Sequence, residues 1–163
     1  MSLCPDQARE ILSYDRDTGE LRWNVKPSKR LAAGTRAGKR NSRGYIVVKY
    51  RGAYYQAHRI IWLIVHGQTP EMIDHVNGNP WDNRLCNLRA ATPRENQRNR
   101  RRNKTSTSGI KGVRWDPRSK AWVARIRDGQ RNLVLGRFKD ISSAASAYAM
   151  AAKKIFGEFA RTE

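Results

Sequence analysis

Hydrophobic positions along the chain change period several times, and each change marks an element. Ala8, Ile11 and Leu12 share one face of a short helix predicted over Pro5–Ser13. Leu12-Ser13-Tyr14 and Gly19–Trp23 then read as two short strands around the turn Asp15–Gly19. Tyr45–Tyr50 and Ala53–Ala57, joined by Arg51-Gly52, predict a β-hairpin. His58–His66 is apolar enough for a buried helix that Gly67 ends. Met72–Leu88 holds two short apolar pieces separated by Asn77, Gly78, Asn79, Pro80, Asp82 and Asn83, the pattern of two strand ends joined by a tight polar loop. Thr92 as N-cap, Pro93 at N1 and Glu95 at N3 predict a capped helix with Asn96 in its first turn.

Residues 103–109 (Asn-Lys-Thr-Ser-Thr-Ser-Gly) read as a linker. Three strands follow, Ile110–Trp115, Ala121–Arg127 and Asn132–Phe138, then a helix over Ile141–Phe156 capped by Asp140 and ended by Gly157. The alternation in Ala121–Arg127 puts Trp122, Ala124 and Ile126 toward the helix and Val123, Arg125 and Arg127 away from it. Gly136 marks a bulge that returns Phe138 to the apolar face.

Composition narrows the class. A chain of 163 residues makes one domain or two small ones, and 39% hydrophobic residues with five Trp and six Tyr are enough for a core. The longest apolar run, Ile60–Val65, is far short of the ~20 residues a membrane span needs, and no signal peptide is readable. Cys4 and Cys86 have no CxxC spacing, which sets aside zinc-finger and disulfide scaffolds. The expectation is a cytoplasmic protein in a reducing compartment with no membrane partner.

Charge then names the partner class. Lys and Arg number 33 against 14 Asp and Glu, a net +19. The excess is uneven. Residues 26–51 carry nine basic and no acidic side chains, while residues 52–92 balance three against three. Residues 26–44 read as a mobile basic loop. Basic flanks around a neutral window neutralise phosphates and release counterions, so the expected partner is a polyanion.

The neutral window contains the run Asp74-His75-x-Asn77-Gly78-Asn79-Pro80-x-Asp82-Asn83-Arg84-x-x-Asn87-Leu88-Arg89, followed by Glu95-Asn96. Over residues 44–103 it resembles the HNH nuclease family, in particular the homing-endonuclease-like branch whose third motif residue is Asn. The resemblance implies a ββα-metal (His-Me finger) unit around one divalent cation. It further implies His75 as general base, Asn87 orienting the imidazole, and Asp74 and Asn96 as metal ligands. A neutral imidazole suits proton abstraction near pH 7. An oxygen donor at Asn96 favours Mg²⁺ or Mn²⁺ over Zn²⁺. The competing reading is that these Asx residues bond loop backbone, as such residues commonly do.

Residues 109–160 resemble the APETALA2 (ethylene-response-factor) DNA-binding domain through Lys111-Gly112-Val113-Arg114, Trp122–Asp128, Leu135-Gly136-Arg137-Phe138 and Ala144-Ala145-x-Ala147-Tyr148. Val134 and Arg125 depart from the residues frequent there. The resemblance implies a sheet laid in the major groove, where arginine can bond guanine bidentately.

The expected fold is therefore α+β: a nuclease domain over residues 1–103, a linker over 104–109, and a small three-stranded antiparallel sheet packed on one helix over 110–163. The expected function is a Mg²⁺- or Mn²⁺-dependent, site-preferring endonuclease that nicks double-stranded DNA as a monomer, in a bacterial or phage-infected host. Arg98, Arg101, Arg102, Lys111, Arg114, Arg125, Arg127 and Arg137 are its expected DNA contacts. Two other readings remain: a catalytically inactive DNA-binding protein on a decayed nuclease core, and an RNA-binding structural protein.

Overall fold

The computed structural model describes residues 3–99, 108–129 and 131–162. Its contacts divide the chain into two compact units, one of residues up to Ala91 and one from Thr92 onward. The architecture is α+β, built from several small antiparallel sheets and four helices among the described residues.

In the first unit, helix α1 (Pro5–Ile11) starts at a capping box in which the Cys4 sulfur accepts from Gln7 N, and its apolar face buries Ala8 and Ile11. Strand β1 (Leu12–Tyr14) follows without a break and pairs with β2 (Leu21–Trp23), Leu12 opposite Trp23. A second sheet has the order β3 (Lys39–Arg40), β4 (Ile46–Tyr50), β5 (Ala53–Gln56). Helix α2 (Ala57–His66) ends at Gly67, whose φ of 74° is left-handed. A third sheet pairs β6 (Met72–His75) with β7 (Leu88–Ala91). Leu12, Leu21, Trp23, Val48, Ile60, Ile61 and Ile73 form the core that these elements share.

The basic stretch 26–44 is not the free loop that its composition predicts. Its backbone extends the edge of β2: Trp23 N donates to Thr35 O (3.0 Å) and Ala37 N to Leu21 O (2.7 Å). Ala37 is buried, and Gly38 (φ 97°) lies so close to β4 that a Cβ would meet Ile46 Cγ2 at 2.8 Å. Small residues and main-chain bonds anchor the segment, and neither leaves a hydrophobic period to read.

In the second unit, helix α3 (Pro93–Arg98) begins at the Thr92–Glu95 capping box. Strands β8 (Val113–Asp116), β9 (Ala121–Asp128) and β10 (Arg131–Phe138) form an antiparallel sheet with β9 central, and α4 (Ile141–Phe156) covers it. The register shifts between Val134 and Gly136, and Phe138 then lies opposite Trp122, among the residues packed on this core. Val123 differs from its alternation partners Arg125 and Arg127: it is 1% exposed. The register places it between Arg114 and Arg137 on one face, where long arginine stems shield apolar surface.

Composition places the domain boundary at 104–109, whereas contacts place it between Ala91 and Thr92. The reason is ionic. Arg94 and Arg98 on α3 both reach Asp128 at the end of β9 (3.0 and 3.2 Å), and the Arg98 guanidinium lies 4.8 Å over the Phe156 ring. The Lys111 ammonium donates to Arg98 O at 2.7 Å. None of the described helices is long and apolar enough to cross a membrane.

Ile61 is fully buried at the centre of the first unit. Ile61→Ala should therefore lower its stability by about 2–5 kcal/mol through lost burial and the residual cavity, read as a lower urea midpoint with unchanged slope.

Candidate active site

The site starts from the β6–β7 hairpin. Within β6, Ile73, Asp74 and His75 are all buried, so a carboxylate and an imidazole on opposite strand faces are both withdrawn from water. Each needs a partner there. Asp74 finds Arg89, directly opposite on β7, whose Nε and Nη2 both donate to Oδ2 at 2.9 and 2.7 Å. His75 finds Asn83, with Nε2 3.0 Å from Oδ1. An amide oxygen accepts, so Nε2 carries the hydrogen and the neutral ring's lone pair sits on Nδ1.

The connection 76–87 brings Asn83 to that position. Asn77 N donates to Asn87 Oδ1 (2.9 Å), Asn87 Nδ2 to Asp82 O (2.7 Å) and Asn77 Nδ2 to Asp82 Oδ2 (2.8 Å). Arg84 grips Asp82 through Nε and Nη2 at 2.8 and 2.7 Å, bonds that hold the Asp82 carboxyl down at about 2. The β1–β2 hairpin supports the loop from below. Tyr14 Oη donates to Asn83 O (3.0 Å), and Gly19 (φ 76°) approaches so closely that a Cβ would lie 2.6 Å from Arg84 N.

The roles expected from sequence divide on this geometry. Asn87, expected to orient the imidazole, bonds loop backbone with both ends of its amide, and Asn83 takes the ring instead. For Asn77, Asn79, Asp82 and Asn87 the backbone-bonding role is the observed one. The reach of a side chain across a folded loop is not legible in spacing, so Asn83 carries no signal beyond its place in the run. Asn96 lies in the first turn of α3, within the second unit.

His58, the first residue of the helix read as buried, also borders the imidazole. Its ring stands edge-on to that of His75 with centroids 5.1 Å apart, and Tyr45 flanks both at 5.6 and 6.1 Å. His58 Nδ1 is buried with no hydrogen-bond partner among the described residues. Burial, then the neighbouring His75 and Arg59, push the His58 pKa down to about 3. Burial likewise lowers the His75 pKa, against opposing contributions from Asn83, Asp74 and Asp82. Both rings are therefore neutral near pH 7.

Among the described residues, no group of three or more His, Cys, Asp and Glu is placed to hold a metal ion. Asp74 is the buried carboxylate next to His75, and a carboxylate oxygen is the kind of donor a hard cation takes.

The expected DNA contacts separate as well. Arg114, Arg125 and Arg137 line one shallow cavity with Arg118 on the sheet face away from α4. Arg127 instead lines a cavity of about 410 Å³ with Arg94, Arg98 and Lys111. Arg98 and Lys111 bind within the unit, and burial and Arg161 push the Lys111 pKa down to about 8. Arg101 and Arg102 lie outside the described residues.

Residues 55–98 match the family model described as HNH endonuclease. The chain is 32% identical over 114 residues to Protein 3.8 of Escherichia phage T7, an alignment covering 66% of this chain and 93% of that protein. It is 34% identical over 119 residues to an uncharacterized HNH endonuclease of Acanthamoeba polyphaga mimivirus, covering 69% of this chain and 59% of the relative. No solved structure matches the chain significantly.

Two outcomes follow from the packing around His75. Gly19→Ala should push the Asn83–Arg84 backbone away and raise amide exchange at Val76, Asn77 and Gly78 at least about tenfold, the effect of losing ~1.4 kcal/mol of local stability. His58 has a folded pKa near 3 against ~6.5 unfolded, so between those values the unfolded chain binds more protons. Its contribution is complete above pH ~6.5 and is lost as pH falls toward 3. Urea midpoints at pH 7 and pH 4.5 should accordingly drop less for His58→Phe than for the wild type.

Proposed function

Because the chain belongs to the HNH endonuclease family and is a nuclease acting on DNA, we propose that it hydrolyses phosphodiester bonds of double-stranded DNA with His75 as general base and Asp74 as a ligand of one Mg²⁺ or Mn²⁺. The observation that carries this reading is the buried His75, held at Nε2 by Asn83 so that Nδ1 presents the lone pair. Burial favours the neutral ring, which is the form able to accept a proton from water. Arg89 fixes the Asp74 carboxylate from across the hairpin at 2.7 Å, and a carboxylate oxygen is the kind of donor a hard cation takes. A bound divalent cation would stabilise the charge that builds on the phosphate and the leaving oxygen.

The second unit is proposed to hold the DNA as an APETALA2-like reader, with Arg114, Arg125 and Arg137 of the sheet face meeting the duplex. One His75 constellation per chain favours a nick in one strand, and a site preference read by the sheet gives the homing-type activity.

The test is supercoiled plasmid with Mg²⁺ or Mn²⁺. Nicked circles should appear with the wild type, and His75→Ala should slow their formation by about 10²–10⁴-fold while leaving DNA affinity unchanged. Intact plasmid under every divalent ion, with tight binding retained, would mean a DNA-binding protein on a silent nuclease core. Removing Arg125 should weaken binding and flatten log K against log salt by about 0.9 for one lost phosphate contact, as filter binding at several salt concentrations would read.

A further inference from the structure

The loop that holds His75 also displays two large apolar side chains to solvent. Val76, directly after His75, is 43% exposed, and Trp81, two residues before Asn83, is 46% exposed. Folding alone gives no reason to leave an indole there. Its backbone is nonetheless held: Trp81 N donates to Asn79 Oδ1, Asn79 N to Asn77 Oδ1, and Asp82 N to Asn79 O (3.2 Å). Two residues of chain span at most ~7 Å, so Trp81 is tied close to the residue that bonds the imidazole.

A cation completes the arrangement. The Arg40 guanidinium lies 3.6 Å over the Trp81 ring, inside the range of a cation–π contact. Arg40 ends β3, and the turn that follows is closed by Asn41 Oδ1, which accepts from Arg43 N and Tyr45 N at 3.0 Å each. Gly44 (φ 88°) lets that turn pack on the loop, since a Cβ there would lie 3.1 Å from Pro80 Cγ. The basic segment therefore delivers a guanidinium onto the exposed indole instead of waving free. A flat aromatic backed by a planar cation, beside a phosphodiester-cleaving centre, has the chemistry that binds the face of a nucleobase.

We propose that Trp81 and Arg40, with Val76 beside His75, form a wedge that stacks on a base of the duplex next to the scissile phosphate and unstacks it from its neighbour. The inference rests on the nuclease reading for the identity of the duplex. Its consequence is specificity: steps that unstack easily are cut faster, because separating stacked bases costs a few kcal/mol that the wedge must offset.

Duplexes carrying 2-aminopurine at each position within three base pairs of the mapped nick test it. The protein used is the full chain with His75→Ala, which binds without cutting. Fluorescence should rise on binding at one or two positions. Adding Trp81→Ala should abolish the rise, Trp81→Phe should restore most of it, and Arg40→Gln should reduce it. In the cutting protein, Trp81→Ala should lower kcat/KM by roughly ten- to a hundredfold on matched duplex, and by less where a mismatch at that step has already unstacked the base. Equal fluorescence with and without Trp81, or equal cleavage of both duplexes by Trp81→Ala, overturns the wedge while the nuclease stands. A wild type that leaves all DNA intact overturns the nuclease reading, and the fluorescence arm on a mismatched 2-aminopurine duplex then decides the wedge by itself.

Discussion

The hydrogen bond between His75 Nε2 and Asn83 Oδ1 is the contact around which the first unit is organised. A buried imidazole without a partner is costly, and Asn83 can reach the ring only if the connection between β6 and β7 holds a single shape. That shape comes from side chains acting as backbone substitutes: Asn77, Asp82 and Asn87 bond main-chain and side-chain groups of the loop. Tyr14 and Gly19 of a different hairpin then set the position of residues 83 and 84. The β1–β2 hairpin thus acts on the imidazole through one polar loop, while His58 of α2 and Tyr45 pack on the ring directly.

Charge is used in two ways. Some carboxylates are structural clamps: Asp74 on Arg89 across the hairpin, Asp82 on Arg84 in the loop, and Asp128 on Arg94 and Arg98 in the second unit. Of these, the Asp74–Arg89 pair is withdrawn from solvent, so breaking one partner there leaves a buried charge, whereas the more exposed pairs contribute little. The remaining arginines have few acids to meet, since the chain holds 33 basic residues against 14 acidic. They stay available to a polyanion, and Arg114, Arg125 and Arg137 on one sheet face are the ordered example.

The elements were legible because they have periods or caps. The Thr92–Glu95 box, the Gly67 stop and the alternation along β9 are local features, each readable within a few residues. The order in 26–44 was hidden because main-chain bonds and small residues create it. The attachment of α3 to the second unit was equally hidden, because it depends on Asp128, some thirty residues downstream of Arg98.

The candidate site shows the same division. The Asx-rich run after Asp74-His75 was legible as a tight polar connection between two strand ends, since Asn, Asp, Gly and Pro each favour turns. Which asparagine meets the imidazole, that His58 stands against His75, and that Trp81 is left open under Arg40 were decided by the tertiary structure. Sequence determines which groups are present and how the nearest backbone bends. Only the packing of distant segments decides which of two equivalent amides reaches a ring and which aromatic stays uncovered, because those outcomes depend on differences of a few ångströms that residue spacing does not encode.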